Sequence, residues 1–176
     1  PLEVASFLEW ENCRLTLQRT RNRAMPPCSS LEDLGALLEK EDGPIFKQFC
    51  LLYGQPIYAG SVDGQLMFMN LSLIDLLPEL VELFIDGTFS ITPFKTRQLL
   101  VVLAELYGRP RPIFYALMKS QTIVHYEMIF KFLGNDLLGD KRVVMSVMTD
   151  FEQAIRAAVR NIWKEAELLG CNFHLS

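Results

Sequence analysis

The sequence predicts an α/β domain built on a mixed sheet, antiparallel in its first part and parallel in its second, and three patterns lead there. Short apolar runs at residues 83–86, 99–103, 113–118 and 143–148 are each bounded by Gly, Pro or charge, the signature of strands. Between the third and fourth runs, Tyr126, Ile129, Phe130 and Leu133 fall at i, i+3, i+4 and i+7, one face of a helix. After the fourth, Phe151, Ala154, Ile155, Ala158 and Ile162 repeat that spacing ahead of a fifth run at residues 168–175. A strand–helix–strand unit requires a crossover and so pairs parallel, whereas tightly linked strands pair antiparallel. The expected order is a three-stranded meander, helix, strand, helix, strand, with helices packed on the sheet.

Ahead of this core, Val4, Phe7, Leu8 and Leu15 suggest an amphipathic helix over residues 2–20, broken by Pro26 and Pro27. Ser29 followed by Glu32 resembles a capping box, in which hydroxyl and carboxylate satisfy each other's backbone N–H groups, and predicts a helix over 30–41 that Gly43-Pro44 ends. Residues 1–50 are therefore read as a helical lead-in and 51–176 as the main domain, with the boundary between 42 and 56. Within that domain, apolar runs at 57–59 and 66–69 flank Asp63-Gly64, a hairpin signal. Residues 71–77 read as a short helix stopped near Pro78.

The 176 residues are 50% hydrophobic and 22% charged, which excludes disorder for most of the chain. No window approaches the roughly 18 charge-free apolar residues of a membrane span, because Asp75, Glu82, Asp86 and Glu105 interrupt the richest stretches. The net charge of −4 excludes a wholesale basic nucleic-acid binder, yet two local basic patches remain. One holds Arg14, Arg19, Arg21 and Arg23; the other holds Lys95, Arg97, Arg109, Arg111 and Lys119. Either reads as solvated surface or as a phosphate contact. The four cysteines, Cys13, Cys28, Cys50 and Cys171, are too few and too scattered for a disulfide scaffold, so reduced thiols and an intracellular protein are expected. The chain opens at Pro1 without an initiator Met and stops at Ser176 directly after an apolar and aromatic run, so a fragment of a longer protein is expected.

Two aspartates carry the chemistry. Asp86 and Asp150 each end an apolar run, at the sheet edge where ligands bind in open α/β sheets. Converging carboxylates repel unless a divalent cation neutralises them, and oxygen-rich sites of this kind suit Mg²⁺ or Mn²⁺. The plainer alternatives are a turn at Asp86-Gly87 and a helix N-cap at Asp150. Cys171 and His174 have the spacing of two zinc ligands, but no second Cys/His pair stands at a suitable distance, and a thiol facing the core is the better default. His125 reads as a helix-start residue without a catalytic task. Arg156, Arg160 and Lys164 recur every four residues on the last helix as a solvated face that could also touch DNA.

Taken together, the series Phe84 to Phe89 (Phe-Ile-Asp-Gly-Thr-Phe) with Pro93, then Gln98-Leu99-Leu100, Pro112 through Leu117, Thr149-Asp150-Phe151-Glu152 with Ala154, and Gly170 through Leu175 (Gly-Cys-Asn-Phe-His-Leu) resembles, in order and spacing, the catalytic domain of Mutator-like (MULE) transposases. The resemblance covers about residues 80–176. From Arg19 onward, an Arg-rich segment, a Pro-Pro and a Leu-Glu helix look more weakly like the lead-in of animal members that carry FLYWCH zinc fingers.

The resemblance implies an RNase H-like fold and a three-carboxylate (DDE) site that uses two Mg²⁺ or Mn²⁺ ions for DNA strand cleavage and transfer at transposon ends. Asp86 then matches the first carboxylate and Asp150 the second, while Cys171 and His174 match a Cys-x-x-His motif that supports the site. The third acid of the pattern sits on a helix beyond that motif, past Ser176, so the domain is expected to be truncated before its final helix and inactive as given. Glu152 is a poor substitute, because two positions after Asp150 on a helix it would point roughly 200° away. The expected protein is a Mutator-like transposase, or a host protein derived from one, located in the nucleus, with DNA as partner, Lys95, Arg97, Arg109 and Arg111 as candidate DNA contacts, a homo-oligomer left open, and no membrane. The alternative is a non-catalytic, co-opted DNA- or protein-binding module that keeps the fold.

Overall fold

In the computed structural model of the chain, the described residues are 29–40, 43, 46–47, 50–52, 54–88 and 96–171. They form nine strands and four α-helices: α1 (Leu31–Leu38), β1 (Leu51–Leu52), β2 (Gln55–Pro56), β3 (Tyr58–Val62), β4 (Gln65–Met69), α2 (Leu71–Ile74), β5 (Leu80–Thr88), β6 (Gln98–Leu106), β7 (Arg109–Met118), α3 (Ile123–Lys131), β8 (Val143–Thr149), α4 (Gln153–Ile162) and β9 (Glu167–Gly170). The expected helix over residues 2–20 lies outside them. No helix among the described residues is long and apolar enough to cross a membrane.

Seven strands make one mixed sheet in the order β3-β4-β7-β6-β5-β8-β9. The meander β5-β6-β7 is antiparallel, and β8 and β9 add in parallel to β5 and to each other. This is the α/β mixed sheet the apolar runs predict, and one assignment goes beyond the prediction. The early hairpin β3-β4 does not stand apart but pairs with β7, Leu66 opposite Leu117 and Met69 opposite Phe114, and widens the sheet. Its turn puts Asp63 and Gly64 at φ of 48° and 70°, the left-handed pair that a tight two-residue hairpin requires. Pro110 and Pro112 sit inside β7, where β4 no longer pairs and their missing N–H groups cost no bond on that side.

α2, α3 and α4 cover one face. Val81, Leu83 and Ile85 of β5, Leu100, Val102 and Ala104 of β6, Phe114 and Ala116 of β7 and Val147 of β8 form one buried cluster with Tyr126, Ile129, Phe130, Leu133, Ile155, Ala158 and Val159. The predicted stripe of α3 is therefore the packed one, and Phe130 lies 5.1 Å from the Trp163 ring where α3 meets the end of α4. α3 continues as a π-helix, Phe132–Leu138, closed by Gly139. Phe151 departs from its expected place on the core face of α4. It precedes the helix and is 46% exposed.

α1 lies on the other face. Leu31 and Leu38 pack with Leu66, Phe46 and Cys50 against Phe68 and Leu117, so this part of the lead-in joins the sheet. Its cap is one residue later than expected. Ser30 is the N-cap, its Oγ accepting from Asp33 N at 3.1 Å, and Asp33 rather than Glu32 reaches back, accepting from the Ser29 backbone N–H at 3.0 Å. Those bonds from Ser29 hold the Asp33 carboxyl below its ordinary pKa of 3.8. Lys119, 3.2 Å from Asp63 and 3.7 Å from Glu32, bridges α1 and the β3-β4 turn, and His125 Nε2 lies 3.2 Å from the same Asp63.

Candidate functional site

Register decides where the two aspartates go. Ile85 pairs in parallel with Thr149, so the residues that follow, Asp86 and Asp150, come at the same level at the carboxyl ends of adjacent strands, which run about 4.8 Å apart. Val81, Leu83 and Ile85 face the helices, and alternation turns Asp86 to the opposite, partly exposed face. The turn reading of Asp86-Gly87 does not hold: both residues and Thr88 remain in β5, with Gly87 opposite Leu100 and Thr88 opposite Leu99. Asp86 Oδ2 accepts from Thr88 Oγ1 at 3.2 Å. Nor is Asp150 the N-cap of α4. That place belongs to Glu152, whose backbone N–H donates to Asp150 Oδ1 at 3.0 Å in an Asx turn that leads the chain into the helix.

Glu152 itself needs a correction. At φ −62° and ψ 118° it is extended and precedes the first helical turn, so a rotation of about 100° per residue does not apply to it. It is still no partner for the aspartates, for a different reason: its carboxylate turns into the core, 2.9 Å from the hydroxyl of Tyr126. Burial pushes the Glu152 carboxyl above its ordinary pKa, the Tyr126 hydrogen bond opposes this and the Asp150 charge adds to it. Burial, then the charge of Glu152, drives the Tyr126 phenol far above its usual range.

The same hydroxyl stands 2.6 Å from Gln98 Oε1. Gln98 and Tyr126 are fully buried, and Gln98 Nε2 has no partner among the described residues. One hydroxyl proton serves one acceptor, so the phenol donates either to Glu152 or to Gln98, and Gln121 Nε2 supplies Gln98 Oε1 with a second donor at 3.3 Å. Gln98 also explains Gly87, since a Cβ there would fall on the Gln98 amide nitrogen and lie 3.0 Å from Cδ. Sequence reasoning took Tyr126 for a plain core residue and missed its task. The available signal was a glutamine opening a buried strand, a polar group that must find a buried partner.

Next to Asp150, the Phe151 ring tip rests on Gly170, where a Cβ would lie 2.8 Å from Cζ, and the Arg156 guanidinium stands 5.7 Å over the ring. Arg156 also donates to the Leu169 carbonyl at 3.2 Å, so it is not part of a solvated basic face, and Lys164 lies past the end of α4. Cys171 is a free thiol whose backbone N–H donates to Thr149 O at 2.8 Å, continuing the β8-β9 ladder. His174 and Lys95 lie outside the described residues. The remaining basic candidates separate. Arg97 is exposed beside the aspartate end, its backbone N–H donating to Met118 O at 2.7 Å. Arg111 and Arg109 pair with Ala104 and Leu106, three and five residues along β6 from the Val101 that faces Asp86, about 10 and 17 Å away.

The class is thus an α/β domain with a mixed sheet and two carboxylates at the ends of neighbouring parallel strands. Residues 82–176 match the family model of the MULE transposase domain. That match spans more than half of the chain, and the protein belongs to the MULE transposase family. A search of curated proteins gives no match.

Proposed function

We propose that this domain has an RNase H-like fold and, in the complete protein, serves metal-dependent cleavage and transfer of DNA strands in the nucleus. The observation that carries the reading is the Ile85–Thr149 register, which brings Asp86 and Asp150 to one level on adjoining strands. Their donor set fits Mg²⁺ or Mn²⁺, which take one or two protein carboxylates and complete their shell with water and substrate phosphate. No group of three or more His, Cys, Asp or Glu that would hold a metal by itself stands among the described residues. A bound divalent ion would polarise the phosphate and lower the pKa of an attacking water or hydroxyl. Asp86, supported by Thr88, and Asp150, supported by the Glu152 backbone N–H, would supply the protein oxygens. Arg97 would hold the DNA backbone near the aspartates, with affinity falling steeply in salt, whereas Arg111 and Arg109, opposite Ala104 and Leu106, lie on the helix-covered face of the sheet, away from Asp86.

The test is strand cleavage by the full-length protein on transposon-end DNA, titrated with Mg²⁺ and Mn²⁺, beside Asp86→Ala and Asp150→Ala. Loss of cleavage in both variants, about 10³-fold or more, is expected from removing a metal ligand. Cleavage that survives both substitutions refutes the assignment. DNA binding without cleavage under any metal condition would mark the co-opted, non-catalytic module instead.

A further inference from the structure

Behind the two aspartates, a continuous set of buried and half-buried contacts joins the strands that carry them. Gly87, next to Asp86, has the Gln98 amide against its backbone; Gln98 meets the Tyr126 hydroxyl at 2.6 Å; that hydroxyl meets Glu152 at 2.9 Å; and the Glu152 backbone N–H donates to Asp150 at 3.0 Å. Gln121 Nε2, 3.3 Å from Gln98 Oε1, closes the outer side. The two middle members are fully buried.

We infer that Gln98, Tyr126 and Glu152 are positioning residues that set the separation of Asp86 and Asp150. The inference rests on the reading that these aspartates share a cation, and its physical basis is the asymmetry of their surroundings. Asp86 is fixed by its pairing with Val101 inside the β5-β6 ladder, which runs on through Gly87 and Thr88. Asp150 lies one residue beyond the last paired residue of β8 and before α4 begins, so backbone pairing does not hold it. What anchors that junction is the Glu152 carboxylate, inserted under the sheet and hydrogen-bonded to a phenol that α3 carries. The phenol is in turn located by Gln98, which touches the strand of Asp86. Broken at Tyr126, the Asx turn loses its buried anchor and Asp150 is free to swing away from its neighbour. In metal sites, groups that orient the ligating carboxylates this way govern affinity without touching the ion.

A disulfide reads the separation directly, because it forms only when the Cα atoms lie about 4.4–6.8 Å apart. The double substitution Asp86→Cys/Asp150→Cys is made in the full chain, oxidised mildly, and the 86–150 cross-linked peptide followed by mass spectrometry. It is then repeated with Tyr126→Phe, Glu152→Ala or Glu152→Gln added, each below its own unfolding temperature. The cross-link is expected to form in the first case, to slow at least about threefold with Tyr126→Phe and Glu152→Ala, and to recover with Glu152→Gln, whose amide still accepts from the phenol. With the aspartates intact, Mn²⁺ affinity should follow the same order and fall about tenfold in the two disruptive variants.

If no cross-link forms even without the added changes, the shared-cation reading itself fails. If it forms at an unchanged rate in Tyr126→Phe and Glu152→Ala, that reading stands and the positioning role is overturned. Slowing in Glu152→Gln equal to that in Glu152→Ala overturns it as well, because the hydrogen bond would then not be the cause.

Discussion

Replacing Gly87 by alanine tests the packing beneath the aspartates most directly. The glycine φ here is not in the left-handed region, so any cost is one of space and not of backbone conformation. The new methyl group would occupy the position of Gln98 Nε2, and the nearest remaining side-chain atom, Cδ, is 3.0 Å away. Gln98 is fully buried and sits between β5 and Tyr126, so its amide has no open space to retreat into. Overpacking a tight site costs about 1–3 kcal/mol, and pulling the amide off the Tyr126 hydroxyl leaves buried polar groups unsatisfied at about 1–3 kcal/mol more. The lower unfolded-state entropy of alanine returns about 0.5–1 kcal/mol, for a net loss of about 2–4 kcal/mol. In a chain of this length that lowers the melting temperature by about 5–15 °C. Urea unfolding followed by circular dichroism measures it, and the decisive comparison is the cycle with Gln98→Ala. Once the amide is gone, Gly87→Ala should cost under about 1 kcal/mol, a coupling of at least about 1.5 kcal/mol. A loss below about 0.5 kcal/mol in the unaltered chain, or an equal loss with and without Gln98, refutes the reasoning.

Gly170→Ala supplies the contrast. The obstructing atom is the tip of the Phe151 ring, which is 46% exposed and free to swing outward, so the expected loss is below about 1 kcal/mol, and a loss above 2 kcal/mol would show that the ring is locked. Acid should loosen the start of α1. The Asp33 carboxyl is held below its ordinary value by hydrogen bonds from Ser29, so its contribution is complete above pH 3.8 and is lost as pH falls through the lower folded-state value. Amide exchange at Ser29 should accelerate selectively over that acid range in the parent chain, and an Asp33→Asn variant should lack the change; exchange independent of pH beyond its intrinsic dependence would refute the cap.

Two cations assigned to one patch by nearness in sequence turn out to serve different ends of the sheet. Arg97 immediately precedes β6 and Arg109 opens β7, and because the two strands run antiparallel, their starts lie at opposite ends of the sheet. Glu152 shows the opposite case. Its distance from Asp150 was never in question, but its direction depended on whether the helix had begun, and helix starts are uncertain from sequence by a residue or two.

From the sequence alone, the strands, the helices that follow them and the order in which they come were legible, because these follow from local pattern. Apolar runs between breakers make strands, and the spacing of Tyr126, Ile129, Phe130 and Leu133 makes one buried helical face. The hairpin at Asp63-Gly64 was equally legible, since a tight turn with positive φ needs just those residues. Which face of the sheet each residue takes was not. Leu99, Val101 and Leu103 are as apolar as Leu100, Val102 and Ala104, so β6 shows no alternation until the helices settle on one side. Tertiary structure alone decided that the hairpin joins β7, that α1 covers Leu66, and that Gln98, Tyr126 and Glu152 meet under the aspartates. Each of those contacts joins residues far apart in the chain, through side chains whose partners no local period encodes.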